Sequence, residues 1–466
     1  MLACFILTAL VYRPSEPYSG LSLAALIILT ITPLASYEVS FQLSFAATIG
    51  ILVVLPLTKK IQHKYKLITS LFLNSLLISA TTLLFTAPLT IYHFYTLTPI
   101  TLFTNLLAIP LLMVIISFSL VAITISFLYL PLAQIISQII LIATLSLEYL
   151  AKLATSIPGA RIWLWPPSAS WVIFFYLNCG LLLVFRKYRI INYFFFILLV
   201  GLYFSYKPNK PPDSQLRATF LALKLGEATL IETGHKLKVL IDTGTKQEFF
   251  QRVKPYLAKH GINKLDALIL SHADADHAGG ANACMTFFRV EELISTGLTS
   301  SYHKNFSKIA QTAKKKNTKC TTLRQGYTCS LSNNLVIKTI WPPPGKIPSN
   351  NDYSLVIQII HPTATLFFSG DCPSAIEKQW QLNSNIDLFK AAHHGAKNSN
   401  STNLLIQIRP KITIVTPGTR NPYGFPHSET SQRLTRFSEV VLNTKKHGAI
   451  QIYFEQDNNI TWKTWQ

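Results

Sequence analysis

The stretch SHADADHAGGAN, Ser271 to Asn282, sets His272, Asp274, Asp276 and His277 within six positions, with small residues between them and two glycines after. Imidazole nitrogens and carboxylate oxygens in this pattern are a donor set for Zn²⁺ or Mn²⁺, and equal numbers of the two bring in the harder Mn²⁺. The competing reading is a solvated polar loop. The preceding LDALIL reads as a buried strand, and α/β domains place their chemistry at the carboxyl ends of strands. A tight loop there could turn all four side chains inward, with Gly279 and Gly280 letting the backbone pass close to the site.

One loop rarely completes a metal site, so the remaining ligands are expected at other strand ends. TLFFSGDC closes an apolar run with Asp371, and DLFKAAHHGAKNS closes another with His393 and His394 before a glycine. Asp371 alone would read as a turn residue; beside the first cluster it reads as a ligand. Neighbouring residues leaving a strand point to opposite sides, so one histidine is expected at the metal and the other behind it or toward substrate.

The elements around these residues read as two similar αβ halves. Short β-type runs cover Ala218 to Leu223, Ala228 to Glu232, Lys238 to Asp242 and Ala267 to Leu270, with a helix over Gln247 to His260. A second set follows: Val336 to Trp341, Ser354 to His361, Thr365 to Ser369, a helix from Pro373 to Leu382, Asp387 to Ala391, a helix over Thr402 to Ile408, Ile412 to Pro417, and a strand pair near the end.

Composition places something else ahead of this domain. The 466 residues are 49% hydrophobic and only 14% charged, and the formal net charge is +21. A single soluble globule is not expected from such a chain. Up to Lys210 there are 12 Lys/Arg against 3 Asp/Glu, and from Asp213 onward 30 against 18. The chain therefore divides near 210, and its second part, at +12, suits a phosphate-backbone or anionic-lipid partner. The six cysteines show no zinc-finger spacing; free buried thiols are the preferred reading over a Cys320–Cys329 bridge.

Before the division, apolar runs recur over Leu21 to Leu34, Phe41 to Leu57, Leu67 to Thr90, Pro99 to Tyr129, Leu132 to Leu153, Trp171 to Phe185 and Ile190 to Phe204, about seven spans. Pro99 to Tyr129 reads as one span, two, or a re-entrant segment. Met1 to Tyr12 is too short to span and lacks the features of a signal peptide. Basic loops at Lys59 to Lys66 and Arg186 to Arg189 belong in the cytoplasm by the positive-inside rule, which carries the chain outward after Pro208. Gln42, Ser44, Thr48, Asn74, Ser75, His93, Thr104 and Asn105, with Pro88, Pro99 and Pro110, interrupt the runs. They read either as glue between helices or as the lining of a conduction path.

HxxxDH followed by GG, then SGD, then HHG, resembles the metallo-β-lactamase superfamily. The variant His272-x-Asp274-x-Asp276-His277, with NDYSLV (Asn351 to Val356), HHGAKNSNST and NPYGFPH, resembles the ComEC family of competence proteins. VSFQLSFAATIGIL and PLTIYHFYTLTPITLFTNLLAIPL resemble that family's channel region. The fold implied is a polytopic α-helical membrane domain followed by an α/β domain of αβ/βα metallo-β-lactamase sandwich type: residues 1–208, a linker at 209–215, and residues 216–466. Against the family pattern, LALKLGEA (Leu221 to Ala228) lacks an aspartate at Ala222 and a glutamine at Leu225. Gly424-Phe425 stands where a glycine-histidine pair is usual, leaving His427. The chain reads as beginning inside the family's membrane region, as a truncated or split copy.

The resemblance implies two divalent metal ions, Mn²⁺ or Zn²⁺: His272 and Asp274 on one, Asp276, His277 and His394 on the other, Asp371 shared between them. His393 is the alternative to His394. Asp276 and His427 are the expected catalytic residues, His427 as proton donor to the leaving oxygen, while Asn351, Asp352 and Ser354 shape the site or face substrate. The implied activity is a metal-dependent deoxyribonuclease that degrades one strand while single-stranded DNA passes a multi-pass protein of the cytoplasmic (inner) membrane, with the carboxyl-terminal domain extracytoplasmic. The implied partners are single- and double-stranded DNA, membrane lipid, other proteins of the competence machinery and further copies of the chain. Two alternatives stay open: a DNA-binding channel component whose hydrolase has decayed, and a membrane-anchored hydrolase of small phosphoesters.

Overall fold

The computed structural model describes residues 17–157, 159–184, 189–205, 216–234, 237–297, 304–332, 334–345, 351–380, 382, 385–455 and 459–465. The short first segment at Met1 to Tyr12 and the linker at Asn209 to Gln215 lie outside them, as does most of the basic loop at Arg186 to Arg189. The chain forms two compact units, Met1–Lys207 and Pro208–Gln466.

Among the described residues of the first unit, four helices are long and apolar enough to cross a bilayer: Val39–Lys64, Leu67–Phe94, Thr101–Ser126 and Leu130–Ser156, of 26 to 28 residues and mean hydropathy 1.8 to 2.8. About 20 such residues cover the hydrocarbon thickness. This is a membrane protein. Pro17–Ile31, Ala169–Val184 and Arg189–Ser205 are also apolar but run only 15, 16 and 17 residues. The run from Pro99 to Tyr129 is one continuous helix, Thr101–Ser126, with Pro110 inside it. Pro88 likewise sits within a helix rather than breaking one. A two-residue pair, β1 (Thr96–Leu97) with β2 (Ile162–Trp163), links the loops.

Several polar residues of these helices find partners within the unit, although Asn74 Oδ1, Ser79 Oγ and Asn178 Oδ1 are buried without one. His93 Nε2 lies 2.8 Å from Gln42 Oε1, joining the first two long helices, and Tyr176 Oη donates to the Phe85 carbonyl at 2.6 Å. Thr48, Thr81, Thr86 and Thr90 donate to carbonyls one turn back, which removes the penalty of bare hydroxyls in lipid. A Cβ at Gly50 would stand 3.1 Å from Phe85, so the same two helices approach where the side chain is smallest.

The second unit is a two-sheet sandwich. Its eight-stranded sheet runs β17–β16–β3–β4–β5–β6–β7–β8, built from β3 (Leu216–Phe220), β4 (Thr229–Thr233), β5 (Leu237–Ile241), β6 (Lys264–Ile269), β7 (Arg289–Ser295), β8 (Lys319–Thr322), β16 (Ala449–Phe454) and β17 (Ile460–Trp465). The seven-stranded sheet runs β15–β14–β13–β12–β11–β10–β9, from β9 (Thr328–Ser332), β10 (Leu335–Trp341), β11 (Val356–His361), β12 (Ala364–Phe368), β13 (Leu388–Lys390), β14 (Ile412–Val415) and β15 (Val440–Asn443). Each sheet changes from antiparallel to parallel pairing part-way across, β5 to β8 and β12 to β15 being the parallel runs. Two similar halves thus face one another, although β16 and β17, from the end of the second half, complete the first sheet.

Period-2 alternation decides which side chains meet. Val239, Ile241, Ala267, Ile269 and Ile294 share one core with Ile357, Ile359, Leu366, Phe368, Leu388 and Ile412, while Leu240, Leu268 and Leu293 are equally buried on the other face. Burial on both faces explains why these strands read as unbroken apolar runs. Of the five described cysteines, all free, only Cys284 and Cys372 are buried, and Cys320 is exposed on β8. The helix expected from Pro373 to Leu382 is a single turn, Ser374–Glu377, after which the chain bends so that Trp380 enters the outer core of the second sheet.

Phe220 and Phe368 stack across the two sheets at 6.3 Å. Phe368→Ala is expected to destabilise this unit by about 3–5 kcal/mol, against no more than about 0.5 kcal/mol for a substitution at exposed Ile360. Calorimetry of the purified chain, following the transition of the sandwich, checks the contrast.

Candidate metal centre

The carboxyl ends of β5, β6, β12, β13 and β14 deliver the functional side chains to one edge of the sandwich. Asp242 follows β5, Ser271 and His272 follow β6, Asp371 follows β12, the two histidines follow β13, and Thr416 follows β14. Asp276 and His277 sit on a one-turn helix, Ala275–Ala278.

Each buried histidine is held by its Nδ1 and presents its Nε2. His277 Nδ1 lies 2.9 Å from Asp242 Oδ2, His394 Nδ1 lies 2.8 Å from the Thr416 carbonyl, and His272 Nδ1 lies 3.0 Å from Ser271 Oγ. Asp242 is itself fixed, accepting from the Ser271 amide at 2.8 Å and its hydroxyl at 2.7 Å. Such partners set the tautomer and aim of a metal-binding imidazole. The three Nε2 atoms and Asp371 Oδ1 are buried without a hydrogen-bond partner. Four orphaned polar atoms around one point are costly unless something else satisfies them.

Asp371 Oδ2 is central to the group. It lies 3.2 Å from His277 Nε2, 3.8 Å from His394 Nε2, 3.9 Å from His393 Nε2 and 4.0 Å from His272 Nε2. Ligand atoms of Asp276, His277, Asp371 and His394 all fall within 4.8 Å of one another. His272 Nε2 and Asp274 Oδ2 pair beside them at 3.4 Å. The donor types and the orphaned atoms fit divalent cations, with Asp371 common to both sub-groups.

The charges inside the site lean on one another. Burial alone would raise the Asp371 carboxyl, but the His277, His394 and His272 rings hold it well below the usual carboxylate range. Burial would raise Asp276 as well, and His394 and His277 bring it below its usual value. Burial opposes protonation of His277, yet the charges of Asp371, Glu227 and Asp242 lift it well above the ordinary imidazole value. His394 is raised too, Asp371, Asp276 and Glu227 outweighing its burial.

The adjacent histidines do not follow strand alternation. His393 and His394 have φ of 50° and 53° and form a left-handed turn, so both line the same cleft of about 300 Å³. Two consecutive non-glycine residues in this region are strained and need a clamp. Asn400 supplies it, accepting from the Ala392 amide at 2.8 Å and donating to the Ala392 carbonyl at 3.0 Å, while Glu377 accepts from the Asn400 amide at 2.6 Å. His394 is the more buried of the two, with its side chain 7% exposed against 24% for His393.

The other expected site residues divide. Asp274, Asp276 and Asn351 line the cleft. Ser354 is buried and accepts from the Asp371 amide at 3.2 Å, so it positions Asp371 rather than meeting a ligand. Asp352 is outside the cleft lining, and its carbonyl accepts from Trp341 Nε1 at 2.6 Å. His427, expected as a proton donor, does not line the cleft. Its amide donates to the Gly395 carbonyl at 3.1 Å, its ring packs against Phe425 at 5.3 Å and its Nδ1 is buried. Gly279 and Gly280 do not line the cleft either: a Cβ there would strike the Ala275 carbonyl or the Phe249 ring, so they admit the close packing of the 243–249 segment.

Three residues escaped the sequence reading. Asp242 carried a signal, an acid at the end of an apolar strand before Thr-Gly. Glu227, in LGEA, is buried beneath the site and ion-pairs with buried Lys390. It also accepts from Thr416 Oγ1 at 2.9 Å and lies 3.6 Å from both His277 Nδ1 and His394 Nδ1. Lys390 was visible as a lone cation inside LFKAA. Gly226 lets this loop lie against Asp276: its φ is +87°, and a Cβ would collide with the Asp276 carbonyl.

Residues 1–189 match the competence protein family, and residues 224–419 match the metallo-β-lactamase superfamily. Recombination protein 2 of Haemophilus influenzae is 32% identical over 238 residues, covering 51% of this chain and 27% of that one. ComE operon protein 3 of Bacillus subtilis is 25% identical over 468 residues, covering 94% of this chain and 58% of that one. Competence protein ComA of Neisseria gonorrhoeae is 24% identical over 259 residues, covering 55% and 35%. The chain is similar to the ComEC family over both of its parts. It spans 27% to 58% of the length of these relatives.

Two outcomes are expected at this site. Asp242→Ala frees the His277 ring and lowers Mn²⁺ or Zn²⁺ affinity by about 10- to 100-fold, measured by titration calorimetry. A cation entering the site displaces protons from His277 and His394, whose pKa values are raised. Affinity therefore falls as pH drops below that raised range, by about tenfold per pH unit for each proton displaced.

Proposed function

We propose that this protein takes part in DNA uptake across the cytoplasmic membrane, and that its second unit is a metal-dependent nuclease acting on the strand that does not enter. The observation that carries this reading is the convergence of orphaned His272, His277 and His394 Nε2 atoms on Asp371 at the foot of an open cleft. The two family matches, one to each unit, support it, as does the name of the Neisseria relative, a competence protein.

His272 and Asp274 would hold one cation, Asp276, His277 and His394 the other, with Asp371 shared. Bound there, Mn²⁺ or Zn²⁺ would supply Lewis-acid stabilisation of a phosphodiester's charge and a nucleophilic water at neutral pH. The chain's own residues do the rest. Asp242, Thr416 and Ser271 fix the ring orientations, Ser354 fixes Asp371, and Glu227 with Lys390 braces His277 and His394 from below. His393 takes the role of proton donor to the leaving oxygen: it lines the cleft and is partly exposed. Ala222 and Leu225 depart from the family pattern, but the ligand set is complete without them, which favours an active over a decayed site. The basic second part grips phosphate, and single-stranded DNA passes the membrane unit, with the second unit on the outer side. Other competence proteins and further copies of this chain are the proposed partners.

The full chain, purified in detergent with Mn²⁺, is expected to cleave labelled DNA. Chelation, or the Asp276→Ala, His277→Ala double substitution, is expected to abolish cleavage, and His393→Ala to slow it about 100-fold or more. Cleavage that survives the double substitution sinks the assignment.

A further inference from the structure

The mouth of the cleft carries an aromatic path that the metal chemistry does not use. Tyr423, 68% exposed, stacks on Phe425 with ring centres 5.5 Å apart and planes 27° from parallel. Phe425 continues the path inward, 6.1 Å and 30° from the His394 ring. Leu225, 39% exposed, also lines the cleft. Tyr423 and Leu225 are thus large side chains left exposed beside buried charge, with Phe425 half-buried behind Tyr423, which is informative in a way that a scattered surface leucine is not.

The path is held in place. Asn421 Nδ2 donates to the Phe425 carbonyl, and two residues on the His427 amide donates to the Gly395 carbonyl. The 419–420 segment runs alongside 223–224, Thr419 N donating to Leu223 O at 3.1 Å and Arg420 N to Lys224 O at 2.9 Å. This brings two exposed cations, Lys224 and Arg420, onto backbone adjoining Leu225 and Asn421 of the rim. Exposed aromatic faces interleaved with cations are the elements that bind single-stranded nucleic acid: bases stack, and phosphates are neutralised.

We infer that Tyr423 and Phe425 form a base-stacking subsite that holds one unpaired nucleobase next to the phosphodiester presented to the Asp371 cluster. It rests on the nuclease reading for that last relation alone. Stacking needs an unpaired base, so the subsite favours single strands and frayed ends over duplex interior.

The test measures binding of the full chain in detergent with Ca²⁺, using fluorescence anisotropy of a labelled oligothymidylate and of an abasic strand with the same number of phosphates. Wild type is expected to prefer the base-bearing strand by about tenfold. Tyr423→Ala with Phe425→Ala is expected to reduce that preference to about twofold or less, while Tyr423→Phe keeps it. Equal binding of both strands by wild type overturns the proposal, as does a preference that survives the double substitution. If the preference behaves as expected but wild type cleaves no DNA with Mn²⁺, the subsite stands and the nuclease reading falls. If DNA is cleaved and the preference is missing, the subsite alone falls.

Discussion

Three buried imidazole nitrogens and a buried carboxylate oxygen, none with a hydrogen-bond partner, meet beside Asp371. Polar atoms taken from water and left bare cost free energy that a fold of marginal stability rarely tolerates. The arrangement persists because everything around it is fixed. Asp242, Thr416 and Ser271 occupy the opposite nitrogens, leaving each ring a single useful orientation. Beneath them, Glu227 and Lys390 form an ion pair whose removal on one side would leave the other charge buried and unpaired.

The sandwich is what permits this concentration of charge. Each sheet has a parallel run, and strands of such a run end on the same edge. Two facing sheets therefore deliver several strand ends to one crevice while their apolar faces close the core behind it. Where the crevice needed both histidines of the HHG turn on one side, regular structure could not provide them. The chain adopts a strained left-handed pair instead, clamped by Asn400 and Glu377.

The membrane unit solves the opposite problem. Its long helices show apolar side chains outward, and Thr101–Ser126 has no buried side chain among its residues. Many of its hydroxyls donate to carbonyls one turn back, and Gln42 and His93 pair with each other. Prolines at 56, 88 and 110 are carried within helices, which a bundle tolerates when neighbouring helices and hydroxyls meet the freed carbonyls.

The division into a membrane part and an α/β part, most strand positions and the acids and imidazoles that gather at the cleft were legible in the chain, because they depend on local quantities: hydropathy over a span, period-2 burial, and residue type at the close of an apolar run. The two family resemblances followed from the same motifs. Tertiary structure decided what lies between distant segments. Asp242 and Glu227 meet His277 only because folding sets the end of β5 and the loop before β4 against the one-turn helix that follows β6, and Lys390 could be kept buried only because Glu227, far away in sequence, faced it. The direction of His393 could not be read from alternation, since a left-handed turn supported by Asn400 replaces the strand there. His427 matched a motif, yet packing against Phe425 withdrew its ring from the cleft. Residue identity set which chemistry was available, and the partners brought by folding determined which atoms were left free to perform it.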